Sequence, residues 1–126
     1  VLLVKKIGYN SSTIERFDII IIKEEKEEII KRVIGMPGEH ISYKNNKLYV
    51  DDKLVNENFK FYDTKDFNLE EICNCTTIPE GKYLVLGDNR PISKDSRIIG
   101  LIDEKDIVGK TVYRIWPISK FGSVYK

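Results

Sequence analysis

With 126 residues, the chain is long enough for one domain with its own core, or a core with a small appendage. Its 21 lysines and arginines are matched by 20 aspartates and glutamates, which argues against the basic footprint of a nucleic-acid-binding protein. The longest isoleucine run, residues 19–22, falls far short of the ~18 apolar residues a membrane helix needs.

Residues 1–6 open the chain with a strand-like run. No methionine starts it and no signal peptide is visible, so the chain is expected to be part of something longer. Residues 17–23, 28–34 and 40–44 are also rich in branched and aromatic side chains and read as strands. The charged run from Lys23 to Glu28 suits a solvated hairpin tip. Asn45-Asn46 and Asp51-Asp52 flank another strand, 47–50. Both pairs tolerate positive φ and suit two-residue hairpin turns, so residues 39–55 are predicted to form a small meander.

Residues 56–80 are polar and lack strict alternation. One short helix is predicted there, capped by Asn68 with Glu71 three residues on. Residues 78–81 turn the chain back, and 82–86 and 107–116 read as further strands. The expectation is an all-β protein. Residues 1–38 and 81–126 form a core of antiparallel sheets, folded over or closed into an incomplete barrel. Residues 39–80 form a smaller inserted β meander with an irregular segment.

Cys73 and Cys75 are the only cysteines. With one residue between them a mutual disulfide would be strained, so they are expected to be ordinary thiols. His40, the single histidine, stands in no catalytic motif and reads as an ordinary strand residue. Trp116, with Pro117 and Phe121, suits either a membrane interface or the core.

Two segments carry chemistry. Lys31 lies in the apolar run from Ile29 to Ile34, and on a strand it shares a face with Ile29 and Val33. Burial disfavours an ammonium, and a lysine so placed beside a bound substrate could accept a proton from a nucleophile. The bland alternative is an edge-strand lysine whose stem covers apolar surface while its head reaches water. The second segment, residues 86–100, is dense in turn and ionic residues. Asp95 and Arg97 could pair locally, or reach Arg32 or Arg90, and a loop stiffened in this way could hold Ser93 where it orients an amine. Its bland alternative is a β-turn with weak surface ion pairs.

Lys31-Arg32-Val33-Ile34-Gly35-x-Pro37-Gly38 and Gly87-Asp88-Asn89-Arg90-x-x-Ser93-x-Asp95-Ser96-Arg97-x-x-Gly100 resemble the two most specific motifs of the bacterial type I signal peptidases. Order and spacing match. Residues 1–6 are similar to the strand after that family's nucleophile, 16–20 to its Arg-Gly-Asp-hydrophobic segment, and 100–102 and 114–117 to its closing strand. The resemblance is weakest over 56–77.

The resemblance implies a serine endopeptidase that cuts signal peptides from exported preproteins outside the cytoplasmic membrane. The implied fold is shared with self-cleaving repressors. Lys31 is the implied general base and Ser93 the hydroxyl that orients it. Arg32, Asp95 and Arg97 are implied as a supporting ionic network, with Asp88, Asn89 and Arg90 shaping the loop. Leu2, Ile29 and Ile30 are candidates for shallow pockets that admit only small residues at the first and third positions before the cut. Substrate is expected to add as a strand near Ile29 to Lys31. Neither a metal nor an organic cofactor is implied, and the partners are preproteins and, through an N-terminal anchor, the membrane.

The family's Ser-Met-x-Pro-Thr nucleophile segment would fall just before Val1. These residues alone are therefore expected to be inactive. Phe17 replaces the family's usual Gly, Glu39 its usual Asp, and Pro91-Ile92 polar residues of the loop. A self-cleaving repressor would need a DNA-binding region or a cleavable arm, and neither is present. A silent homologue that binds peptides or partners without cutting is the alternative from another class.

Overall fold

Alternating branched residues and short polar turns build most of the architecture. The computed structural model describes residues 2–6, 14–58 and 63–113. In chain order their strands are β1 (Leu2–Lys6), β2 (Ile19–Glu24), β3 (Glu27–Gly35), β4 (Ile41–Lys44), β5 (Lys47–Val50), β6 (Lys53–Val55), β7 (Phe67–Asn68), β8 (Lys82–Leu86), β9 (Ile102–Asp103) and β10 (Ile107–Tyr113). Two short helices, α1 (Leu69–Cys73) and α2 (Ser96–Ile99), interrupt them. The strands form two antiparallel sheets, as an all-β reading requires. The larger runs β1-β10-β2-β3-β8-β9 and the smaller β6-β5-β4-β7. The predicted end of the last strand, residues 114–116, and the residues around Phe121 lie outside the described residues.

The β2–β3 hairpin follows from its pattern. Ile20 and Ile22 are buried, Lys23 is exposed, and Glu25 takes a positive φ at the charged tip. In the small sheet, Asn45-Asn46 and Asp51-Asp52 all have positive φ, which is the signature of type I′ hairpin turns. β8 is apolar on both faces. Tyr83 and Val85 join a cluster with Ile20, Ile22 and Val33, while Leu84 and Leu86 join one with Ile41, Tyr43 and Leu48 from the small sheet. The second cluster glues the sheets together. Each fully buried leucine in it contributes about 1.5–3 kcal/mol.

Asn68 caps α1 as predicted, its Oδ1 accepting from the Glu71 N–H at 3.3 Å. Asn74 then ends the helix in the left-handed region, at φ 54°. That reversal brings the Cα atoms of Cys73 and Cys75 to 5.2 Å, and the structure joins them in a disulfide. The expectation of two thiols is corrected: it assumed a chain without a left-handed residue between the cysteines. The helix α2 was not expected. It has four residues, too few for a helical period, and is made by its ends, with Asp95 accepting from the Arg97 N–H and Gly100 at φ 85°.

Phe17 has φ 75°, in the left-handed region that favours glycine. Its N–H donates to the Val33 carbonyl at 2.7 Å, and its ring packs on the intersheet cluster. The ring's burial offsets a backbone cost of ~1–2 kcal/mol. Phe17→Gly is therefore expected to be more stable than Phe17→Ala by about 1 kcal/mol. Urea denaturation of the two variants checks the order, and an alanine variant at least as stable as the glycine variant would refute it.

Candidate active site

The antiparallel β3–β8 pairing sets Arg32 opposite Leu86. The loop that leaves β8 therefore passes beside Lys31 and Arg32. Lys31 Nζ donates to Ser93 Oγ at 3.0 Å, so residues 62 positions apart meet in one contact. The backbone that allows this is Gly87. A Cβ built on it would lie 1.9 Å from Ser93 Oγ and 3.3 Å from Lys31 Nζ. Only a residue without a side chain lets Ser93 sit there.

Two charged pairs brace the loop. The Arg32 guanidinium grips Asp88 with both arms, at 3.0 and 2.8 Å, and also donates to the Phe17 carbonyl at 3.0 Å. Asp95 is fully buried. It accepts from the Gly87 N–H at 3.0 Å and from Arg97 through Nε at 2.9 Å, Nη2 at 2.7 Å and the backbone N–H at 3.1 Å. Burial alone would push the Asp95 carboxyl up, but these donors outweigh it and hold the group below the usual carboxylate range. Arg32 and Arg97 thus serve different carboxylates. Ser96, also buried, accepts from the Val85 N–H at 2.9 Å and fastens α2 to β8.

Arg90 turns away from Lys31 and is itself buried. It donates to the Gly87 carbonyl at 2.8 Å, and beyond it to Thr64, Tyr43 and Glu57. Asn89 is exposed at the turn, where its carbonyl accepts from the Ile92 N–H. The sequence singled out Arg90 but not Tyr43, Glu57 or Thr64. Glu57 and Thr64 sit in a polar stretch without period, and no local pattern marks a counter-ion supplied from so far away.

Beside Lys31 lies an open cleft of about 240 Å³, lined by Ile19, Ile30, Lys31, Arg32, Gly87 and Asp88. Ile30 is 60% exposed at its edge, and Ile29 packs inward on the cluster of Val33. Leu2 lies in β1, an edge strand of the large sheet, and its side chain is outside what is described. β8 pairs with β3 only at Arg32, Val33 and Gly35. Among the described residues, the β8-side edge of β3 from Glu27 to Lys31 is therefore unpaired, with backbone groups free to bond an extended peptide. His40 is engaged elsewhere, 2.8 Å from Glu70 Oε1. No helix among the described residues is long and apolar enough to cross a membrane.

Chemically, an amine held by a hydroxyl at the edge of a cleft, beside an open strand, can exchange a proton with a group brought in along that edge. The chain is also similar to known proteins over most of its length. Residues 1–116 match the family model described as signal peptidase, peptidase S26. The chain is 44% identical over 129 residues to signal peptidase IB of Staphylococcus aureus strain Mu50, covering 91% of this chain and 68% of that protein. It is 45% identical over 130 residues to signal peptidase I of Bacillus caldolyticus, covering 95% and 71%. A crystal structure of a signal peptidase I from Enterococcus faecalis V583 superposes with a TM-score of 0.71 at 36% identity, over 79% of this chain and 97% of that one.

Proposed function

We propose, from the premise that this chain belongs to the signal peptidase I family of serine peptidases, that the full protein removes signal peptides from exported preproteins at the outer face of the cytoplasmic membrane. An anchor and the nucleophilic serine would come from residues preceding Val1. Lys31 is the general base. It takes the proton of that serine as its oxygen attacks the scissile carbonyl, and returns it to the leaving amine. Water then releases the acyl group. Ser93 keeps the Lys31 amine aimed, and Arg32, Asp88, Asn89, Arg90, Asp95 and Arg97 keep Ser93 in place. The observation that carries this reading is the 3.0 Å contact between Lys31 and Ser93.

Substrate would lie as an added strand along the open edge of β3, covering Lys31 and excluding bulk water from it. Leu2, Ile29 and Ile30 would line shallow pockets for small side chains at the first and third positions before the cut. Residues 1–38 and 81–126 would act as the catalytic unit and 39–80 as an insertion. The test is cleavage of a preprotein by the full-length protein. A single cut after paired small residues is expected, and it should be blocked when the first is replaced by phenylalanine. Cleavage indifferent to that replacement would overturn the assignment.

Gly87→Ala gives a sharper check, because the added methyl must displace Ser93. Misplacing a positioning group by about 1 Å costs ~10²-fold in rate, so kcat should fall by about that factor with KM little changed. Parent-like turnover would show that Ser93 does not need its present position.

A further inference from the structure

We infer that Glu57, outside both motifs, is a positioning residue for the Lys31–Ser93 site and acts on it through Arg90. The inference rests on the peptidase reading above. Glu57 lies in the polar segment between β6 and β7. Its side chain is 3% exposed and that of Arg90 is 0% exposed, and Arg90 Nη2 donates to Glu57 Oε2 at 3.0 Å. The same carboxylate oxygen accepts from the Tyr43 hydroxyl at 2.6 Å. Arg90 Nη1 donates to Thr64 Oγ1 at 2.9 Å and to the Tyr43 hydroxyl at 3.3 Å, and the guanidinium lies 5.6 Å from the Tyr43 ring centre.

The other end of the guanidinium reaches the site. Arg90 Nε donates to the Gly87 carbonyl, while the Gly87 N–H is held by Asp95. Both polar groups of the residue that Ser93 rests against are thus fixed from within the loop, by Asp95 and by Arg90, and Arg90 is in turn anchored by Tyr43 of the small sheet and by Glu57 and Thr64 between β6 and β7. An arginine buried without its carboxylate would draw in water or swing away, releasing the Gly87 carbonyl. The small sheet and its irregular segment are therefore part of what holds Ser93 in register with Lys31. Glu57 itself touches neither.

The full-length protein provides the test. Glu57→Gln keeps the shape and removes the charge. It should lower kcat on a preprotein by about tenfold or more, leave KM within about twofold, and move the acidic limb of the pH–rate profile. Amide hydrogen exchange at Gly87 should quicken by at least about tenfold while that of Leu84, in the middle of β8, stays as in the parent. Val50→Ala, a core truncation in the same small sheet, is the comparison for simple destabilisation and should leave kcat and Gly87 exchange unchanged. If Glu57→Gln does not fold, Glu57→Asp takes its place, since it keeps the charge but draws the carboxylate back from Arg90 by about one methylene. Parental exchange at Gly87, or a kcat loss no larger than that of Val50→Ala, overturns the inference. Lys31→Ala is assayed alongside. Full activity there would sink the peptidase chemistry, whereas faster exchange of the Gly87 N–H, which Asp95 holds, reads independently of turnover whether the loop loosens once the Gly87 carbonyl is released.

Discussion

Lys31→Ala in the full-length protein is expected to lower kcat for preprotein cleavage by about 10³-fold, within the range a lost general base produces. The side chain is only partly buried and its contact is with one hydroxyl, so the fold should survive the change. KM should move little, because substrate would be held by the β3 backbone and the apolar cleft rather than by the amine. Lys31→Arg should not restore the rate, since a guanidinium stays protonated and cannot take up the serine proton. Ser93→Ala should fall between parent and Lys31→Ala: it frees the amine without removing it. Normal processing by Lys31→Ala, measured on a preprotein with matched enzyme concentrations, would end the assignment of this residue as the base.

Asp95→Ala is expected to cost about 3–5 kcal/mol of stability, the range for removing one partner of a buried ion pair. The carboxylate is fully buried, takes three bonds from Arg97 and one from Gly87, and caps α2. Its removal leaves the Gly87 N–H and an arginine fork without their acceptor, so activity should fall with stability. The pH dependence has a definite sign. The folded carboxyl is held below its ordinary value, so in the acid range the unfolded chain binds more protons than the folded one. This contribution is complete above the unfolded value of ~3.9 and is lost as pH falls through the folded value. Urea denaturation between pH 7 and pH 3 should thus show a shallower acid loss for Asp95→Asn than for the parent. Parallel curves would mean that Asp95 does not carry the effect.

The parts of this molecule that could be read from sequence are those decided by neighbours along the chain. Ile20 and Ile22 alternate with exposed positions, Asn45-Asn46 and Asp51-Asp52 allow the left-handed turns, and Asn68 caps the helix it precedes. The link between Lys31 and Ser93 rests mainly on motif resemblance, because 62 residues of chain separate them and no local rule joins the two. What escaped depends on single backbone conformations or on distant partners. The left-handed Asn74 brings two cysteines together that spacing alone keeps apart. The Arg90 counter-ion comes from a segment with no period, so burial, not sequence, identifies it. Phe17 occupies a left-handed backbone position that favours glycine. It keeps the left-handed backbone through its packing and through the bonds of its N–H and carbonyl groups.

A strand edge that can take up one extended peptide can also take up a second molecule of the same protein, and bare edges are where soluble β-proteins aggregate. The unpaired stretch of β3 carries exposed Glu27 and Glu28 at its start and Lys31 at its end. Two copies meeting edge to edge in parallel would bring acid against acid and base against base. An uncharged, small-residue peptide meets no such repulsion. Carboxylates at one end of the open edge and an amine at the other therefore disfavour its pairing with a second copy of itself in the parallel register.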